Sequence, residues 1–254
     1  MCRFLAYLGP PVTLEALLLA PERSLLRQSY EPQFQRHGRI NADGFGVGWW
    51  DAARRPEPAR YRTTRPMWTD RSFASLAGVI AAPAVVASVR SAAPGMPVDE
   101  SNTHPFTSGR WLFAHNGEID GFRGEAGTRL RRMVSDERLA AIDGSTDSEL
   151  MFALALDRLD AGATPGRALV EVIAAVTEVT TGRVNLLLGD GERMAATAQG
   201  DTLFVLGGTD RVVIASEPYD DDPAWQRVDD GALVEAIPGE VSMTRLVAAK
   251  GALA

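Results

Sequence analysis

A cysteine at position 2 lies one step from being the first residue of the chain. A small side chain there permits removal of Met1, which would leave a thiol and a free α-amine on one residue. An α-amino group titrates near about 7.7–8.0, so at neutral pH it can take a thiol proton and hand it to a departing amine. Nucleophile and base would then be the same residue. The alternative is a small buried hydrophobe at the head of a first strand. A second element is Ala114-His-Asn-Gly117, at the end of an apolar strand. There the Asn116 side-chain amide and the Gly117 N–H could converge on one point and stabilise an oxyanion. Asn-Gly is also a common tight-hairpin signal. Arg90 closes another apolar strand, where its planar fork could hold a carboxylate bidentately or serve as a solvated or ion-paired group. Asp147 lies in Thr146-Asp-Ser-Glu149, a capping box, and could be a ligand for an ammonium or only a first-turn carboxylate favoured by the helix dipole. Three scattered histidines and one cysteine give no metal-ligand spacing, and no cofactor is expected.

The elements around these residues can be read from their patterning. A strand starts at residue 2; Thr13 caps a helix over 14–19, which continues at 24–29 after Pro21. Residues 30–44 are polar and glycine-rich. Residues 44–50 carry Gly at every second position, as in a strand that another backbone must approach closely, and 61–64 fits its hairpin partner. Helical spacing covers 70–80, and strand patterns cover 84–90 and 111–115. The intervening loop, 91–109, is long enough to suggest a functional role. Helices follow over 121–134, from Thr146 through 159, and from Pro165, with Thr164 as cap. Short β runs then occupy 184–188, 194–198, 202–206, 212–215 and 241–247. Strands, helices and strands again, without repeat or linker, read as one α+β domain over 1–254.

The bulk numbers exclude several function classes. Twenty-six Lys and Arg against thirty-three Asp and Glu leave a net charge of −7, which argues against a nucleic-acid partner. The apolar runs at 17–20 and 81–87 fall far short of the ~20 residues that span a bilayer, so no membrane partner is expected. A single cysteine forms no intramolecular disulfide, which fits a cytoplasmic setting. Oligomeric state is not legible.

Seven landmarks in this order resemble the class II glutamine amidotransferase domain of the N-terminal-nucleophile hydrolases. They are Met-Cys2-Arg-Phe, Asn41-Ala-Asp-Gly-Phe-Gly-Val-Gly-Trp49, Arg90, Asn102-Thr-His-Pro-Phe106, His115-Asn-Gly-Glu-Ile119, Ser145-Thr-Asp-Ser-Glu149 and Ala215-Ser-Glu-Pro218. The resemblance implies a four-layer αββα sandwich, with the helices over 146–161 and 165–181 covering one sheet. It also implies roles. Cys2 would attack a γ-glutamyl carbonyl, and Asn116 with the Gly117 N–H would hold the oxyanion. Arg90 would bind the glutamyl carboxylate and Asp147 its ammonium, while His104 shapes the pocket rim; His115 reads as structural. Ser91-Ala-Ala-Pro94 stands where ammonia-feeding members carry Trp-Ala-Thr-His. Because the domain accounts for nearly all 254 residues, no obligate synthase partner is expected, and a small γ-glutamyl compound is the expected substrate. An ammonia-delivering glutaminase subunit and a non-catalytic γ-glutamyl sensor are the alternatives. Trp49, Trp50, Tyr219 with the acidic 220–222, and Trp225 could meet a cationic leaving group, but core packing and a solvated loop account for them as well.

Overall fold

The computed structural model describes residues 2–246, so Met1 and the last residue of the run at 241–247 lie outside the described residues. The strands are β1 (Arg3–Thr13), β2 (Phe45–Trp50), β3 (Ala59–Thr63), β4 (Ala81–Val89), β5 (Phe106–Ser108), β6 (Trp111–Ile119), β7 (Gly182–Gly189), β8 (Met194–Ala198), β9 (Phe204–Gly207), β10 (Val212–Ala215), β11 (Gln226–Arg227), β12 (Ala232–Ile237) and β13 (Glu240–Arg245). The helices are α1 (Leu14–Leu18), α2 (Leu25–Gln28), α3 (Arg71–Ala77), α4 (Glu125–Arg131), α5 (Asp136–Ala140), α6 (Asp147–Asp160) and α7 (Pro165–Val179). One antiparallel sheet runs β11-β9-β10-β1-β4-β2-β3 and the other β13-β12-β8-β7-β6-β5.

Side-chain alternation along the strands builds four layers. In β1, Phe4, Ala6 and Leu8 join Leu112 and Ala114 of β6 and Leu187 of β7 in the core between the sheets. Leu5 and Tyr7 point the other way, onto Leu14, Leu17 and Phe73 of α1 and α3. Phe113 of β6, with Leu186 and Leu188 of β7, packs on Leu150 and Leu154 of α6 and Leu169 and Val172 of α7. The order is therefore helices, sheet, sheet, helices: the αββα sandwich, with α6 and α7 covering the second sheet. Thr146 and Thr164 cap α6 and α7 through their side-chain oxygens, and Pro165 occupies the first turn of α7.

Several boundaries differ from the sequence expectation, each for a physical reason. β6 does not end at residue 115 but continues through Asn116 and Gly117 to Ile119, paired with β7 along its length. The Asn-Gly step is thus inside a strand and makes no hairpin. The helix expected over 121–134 is confined to Glu125–Arg131, after a turn at Gly121, whose φ is 66°. The long loop contains a 3-10 turn at Glu100–Asn102 and the short β5. The strand expected at 202–206 runs from Phe204 to Gly207. The continuation expected over 24–29 is a separate helix, Leu25–Gln28, capped by Ser24, and the helix expected over 70–80 runs from Arg71 to Ala77, with Asp70 accepting at its N-cap.

Candidate active site

Both inner sheet faces contribute to one cavity of about 530 Å³, which Cys2, Arg90, His104, Gly117 and Asp147 all line. Cys2 directly precedes β1 and is 7% exposed. With Phe4 and Ala6 facing the core between the sheets, alternation sends Cys2 toward the same space. In β6, Leu112 and Ala114 face that space, so Asn116 does too. The thiol and the amide therefore both face the space between the sheets, one from each sheet.

Asn116 is fully buried, and neither atom of its side-chain amide has a hydrogen-bond partner among the described residues. A buried, unsatisfied amide in a packed strand needs an explanation, and a ligand oxygen supplies one. Gly117 adds a second donor. Alternate N–H groups of an antiparallel strand leave on the same edge. The Ile119 N–H leaves β6 toward Asp147 Oδ2, at 2.9 Å, so the Gly117 N–H leaves on that edge as well. β5 does not cover it there, since pairing between β5 and β6 stops at Phe113. The backbone at Gly117 has φ of 152°, and a Cβ would sit 1.8 Å from the Arg183 carbonyl oxygen. Only glycine fits.

Arg90 follows β4 and is 3% exposed. Its Nη1 donates to the Asp43 carbonyl at 3.4 Å and its Nη2 to the Pro97 carbonyl at 3.0 Å. Asp43 also accepts from Ala92 N–H through its carboxylate at 2.8 Å. The landmark around residues 41–44 thus clamps the start of the long loop and aims the guanidinium without neutralising it. Asp147 is the first residue of α6. Its Oδ2 takes the Ile119 N–H, and its Oδ1 the Ser148 N–H at 2.8 Å. The helix start carries half of the expected capping box: Thr146 Oγ1 accepts from Glu149 N–H at 3.2 Å, but the Glu149 carboxylate accepts from Asp143 and Gly144 N–H instead of reaching the cap.

The glycine alternation in β2 has a direct use. A Cβ at Gly46 would lie 2.2 Å from the His104 carbonyl oxygen, and one at Gly48 would lie 2.4 Å from Leu112 Cδ1. The bare strand lets the loop carrying His104 settle onto the first sheet. His104 is 3% exposed, stands edge-on to Phe106, and leaves both ring nitrogens without a partner. Burial, reinforced by the charges of Arg90 and Arg62, holds its pKa well below the usual 6.5, so the ring is neutral. His115 binds differently. Its Nε2 lies 3.0 Å from the Arg183 carbonyl, which can only accept, so Nε2 carries the proton and Nδ1 accepts from the Ser148 hydroxyl at 2.9 Å. His115 ties β6, β7 and α6 together behind the site.

Beside Cys2 a buried charge cluster anchors the chain start. Arg3 is fully buried and its Nε lies 3.0 Å from Glu217 Oε1, without hydrogen-bond geometry. Burial lowers the Arg3 pKa, while Glu217 and Asp201 draw it back up. Burial likewise pushes the Glu217 and Asp201 carboxyls above the usual range, against the pull of Arg3. Ser216 completes the anchor: its Oγ accepts from Phe4 N–H at 3.1 Å, and its own N–H donates to the Phe4 carbonyl at 3.0 Å.

Trp49, Trp50, Tyr219 and Trp225 do not line the cavity. Trp50 is 5% exposed and donates to the Arg110 carbonyl, and Tyr219 packs edge-on against Trp225. Sequence reading missed Asn102 and Arg183 as lining residues. Asn102 ties the long loop to the turn before α6, its Oδ1 accepting from Ser145 N–H at 2.8 Å. The signal was present, since Asn102 opens one of the landmark strings; Arg183 gave none, standing in sequence as an ordinary basic residue at a strand start.

Residues 28–210 match the family of class II glutamine amidotransferases. The chain is 43% identical over 251 residues to a γ-glutamyl-hercynylcysteine sulfoxide hydrolase of Mycobacterium tuberculosis, with 99% of each chain covered. A protein of the same name from Mycolicibacterium smegmatis is 42% identical over 250 residues, covering 97% of this chain and 100% of the other. Among solved structures, a glutamine aminotransferase class-II domain protein from Silicibacter pomeroyi shares the fold with a TM-score of 0.67 at 24% identity, covering 96% of this chain and 99% of that one.

Proposed function

As the chain belongs to the class II glutamine amidotransferases, we propose that it hydrolyses γ-glutamyl-hercynylcysteine sulfoxide to glutamate and the free amine, the activity named for its mycobacterial relatives. The observation that carries this reading is the convergence of Cys2, Gly117, Arg90 and Asp147 on one cavity, with the partnerless Asn116 amide buried behind it.

With Met1 removed, the Cys2 α-amine takes the thiol proton and Sγ attacks the γ-carbonyl carbon. Charge develops on the carbonyl oxygen, where Asn116 Nδ2 and the Gly117 N–H supply two preorganised donors. The carbon–nitrogen bond breaks as the α-ammonium returns its proton to the departing amine, leaving a glutamyl thioester. Water then adds to the thioester carbonyl, the same donors hold the second oxyanion, and the carbon–sulfur bond breaks to release glutamate and restore the thiol. Arg90 holds the glutamyl α-carboxylate and Asp147 its α-ammonium, which fixes the γ-carbon in register with sulfur. Neutral His104 closes the wall beside Arg90 without adding charge. No synthase partner enters the reaction, and a chain with one cysteine fits a reducing, cytoplasmic setting.

The test joins intact mass to turnover. The purified protein should lack Met1 and cleave the sulfoxide far faster than glutamine, and Cys2→Ala should cleave neither. Preference for glutamine would favour an ammonia-delivering subunit. Inactivity of correctly processed protein, or turnover by Cys2→Ala, would overturn the hydrolase reading.

A further inference from the structure

The cavity carries more positive charge than glutamine hydrolysis needs. Three arginines line it: Arg90, Arg123 and Arg183. Arg90 is oriented by the Asp43 and Pro97 carbonyls toward the glutamyl end, and Arg123 donates to the Gly95 carbonyl. The Arg183 side chain donates to no acceptor among the described residues. Its guanidinium stands 3.5 Å from Asp201 Oδ2 and 3.7 Å from Glu118 Oε2, ion-pair distances at which it makes no hydrogen bond. Its Nε is buried and partnerless. A planar fork with free donors, charge-balanced but not hydrogen-bonded, suits an incoming carboxylate.

Its position says which part of a substrate it would meet. In the register of β6 and β7, Arg183 faces Glu118, one step from Gly117 opposite Val184. Along β7, Val184, Leu186 and Leu188 pack toward α6 and α7 while Leu187 faces the first sheet, so Arg183 leaves the strand on the inner face, as Asn116 does from β6. The groups proposed to hold the glutamyl end lie the other way. Asp147 binds at the uncovered edge of β6, away from β7, and His104 comes from the loop leading into β5 at that edge. A tetrahedral carbon held at Asn116 has its glutamyl chain and its leaving nitrogen on different bonds. With the glutamyl end toward Asp147, the leaving group points toward β7. The Arg183 backbone is pinned there by His115, and its stem lies over Gly200, where a Cβ would come within 2.9 Å of Arg183 Cγ.

We propose that Arg183 forms a leaving-group subsite that binds the α-carboxylate next to the scissile amide nitrogen, making the enzyme selective for γ-glutamyl amino acids over glutamine and simple γ-glutamyl amides. This rests on the hydrolase reading above and names the substrate feature it selects. Ammonia offers no such carboxylate, whereas every γ-glutamyl amino acid carries one on the carbon bonded to the scissile nitrogen. Glu118 and Asp201 orient the guanidinium at ion-pair distance, and the ligand carboxylate takes its unused N–H donors.

The experiment uses a matched pair on the processed enzyme: γ-glutamyl-L-alanine and γ-glutamyl-ethylamide, which differ only in that carboxylate. The wild type should favour the alanine compound in kcat/KM by on the order of 10-fold to 100-fold, the worth of a hydrogen-bonded charge pair. Arg183→Gln should collapse that ratio toward one, chiefly by raising KM for the alanine compound, and Arg183→Lys should restore part of it. A wild type without preference overturns the subsite and needs no variant to show it. A ratio unchanged in a folded Arg183→Gln also overturns it. Failure of the processed wild type to cleave the sulfoxide would instead remove the hydrolase reading on which the subsite stands, whereas cleavage of the sulfoxide with neither amide cleaved would overturn selection by the carboxylate alone.

Discussion

Acidification should destabilise this protein through one buried imidazole, by an amount that follows from its surroundings. His104 is 3% exposed and neutral, its pKa held well below 6.5 by burial and by the charges of Arg90 and Arg62. Above the unfolded-state pKa of about 6.5, neither the native nor the unfolded chain holds the proton and nothing is lost. Below it, the unfolded chain takes up a proton that the native state refuses, so stability present at neutral pH falls as pH falls. Between pH 7 and pH 5 the unfolded imidazole goes from about one quarter to almost fully protonated, which is worth about 2 kcal/mol. Other groups also change charge as the pH falls, so the quantity to measure is a difference of differences. Urea unfolding followed by tryptophan fluorescence at pH 7 and pH 5 should show the wild type losing about 2 kcal/mol more than His104→Gln. Equal losses in the two proteins would mean that His104 is protonated in the native state, and the neutral wall beside Arg90 would have to be abandoned.

Asn116→Ala should leave folding intact, since its amide has no partner to lose, but should lower kcat about 10²- to 10³-fold; a smaller effect than tenfold would remove it as an oxyanion donor. Glu217→Ala strands the fully buried Arg3 and should cost about 3 kcal/mol in urea unfolding, near the lower limit for a broken buried pair because Asp201 still faces the cation. Replacing both partners together, Arg3→Met with Glu217→Leu, should recover most of that loss, and a single-variant cost below about 1 kcal/mol would refute the pairing.

What was legible in the sequence was whatever local chemistry decides. Glycine at 44, 46 and 48 announced a close approach, and His104 and Leu112 make it. Thr146, Thr164 and Pro165 marked the starts of α6 and α7, because caps act within one turn. What tertiary contacts decide was not legible. The Asn116-Gly117 pair reads locally as a turn, yet ladder pairing with Asn185 and Val184 keeps it in strand. Residues 232–237, Ala-Leu-Val-Glu-Ala-Ile, are not legible as a strand because Glu235 and two alanines dilute the signal of Val234 and Ile237, and pairing with β8 and β13 makes them one. Arg183 owes its place to register with Glu118, which no single strand reveals.

Cys2, the proposed nucleophile, directly precedes β1, and catalysis there would tolerate little displacement. Here β1 is not an edge strand: β10 flanks it on one side and β4 on the other, with Arg3 opposite Val89. Phe4 exchanges hydrogen bonds with Ser216 on one side, and Arg3 lies against Glu217 behind the sheet. The Ala215-Ser-Glu-Pro218 landmark therefore acts on the proposed nucleophile without being among the cavity-lining residues: it holds the two residues after Cys2. A buried ion pair contributes little net stability on its own. Its position explains it better than its energy, for an apolar pair would hold Arg3 by contact alone, whereas a charge buried opposite its counter-charge cannot be withdrawn into solvent without opening the end of the sheet. The same reasoning explains why Arg3 and Glu217 stand on the helix side of β1 and leave the inner face, toward which Cys2 and Asn116 are turned, clear of the pair.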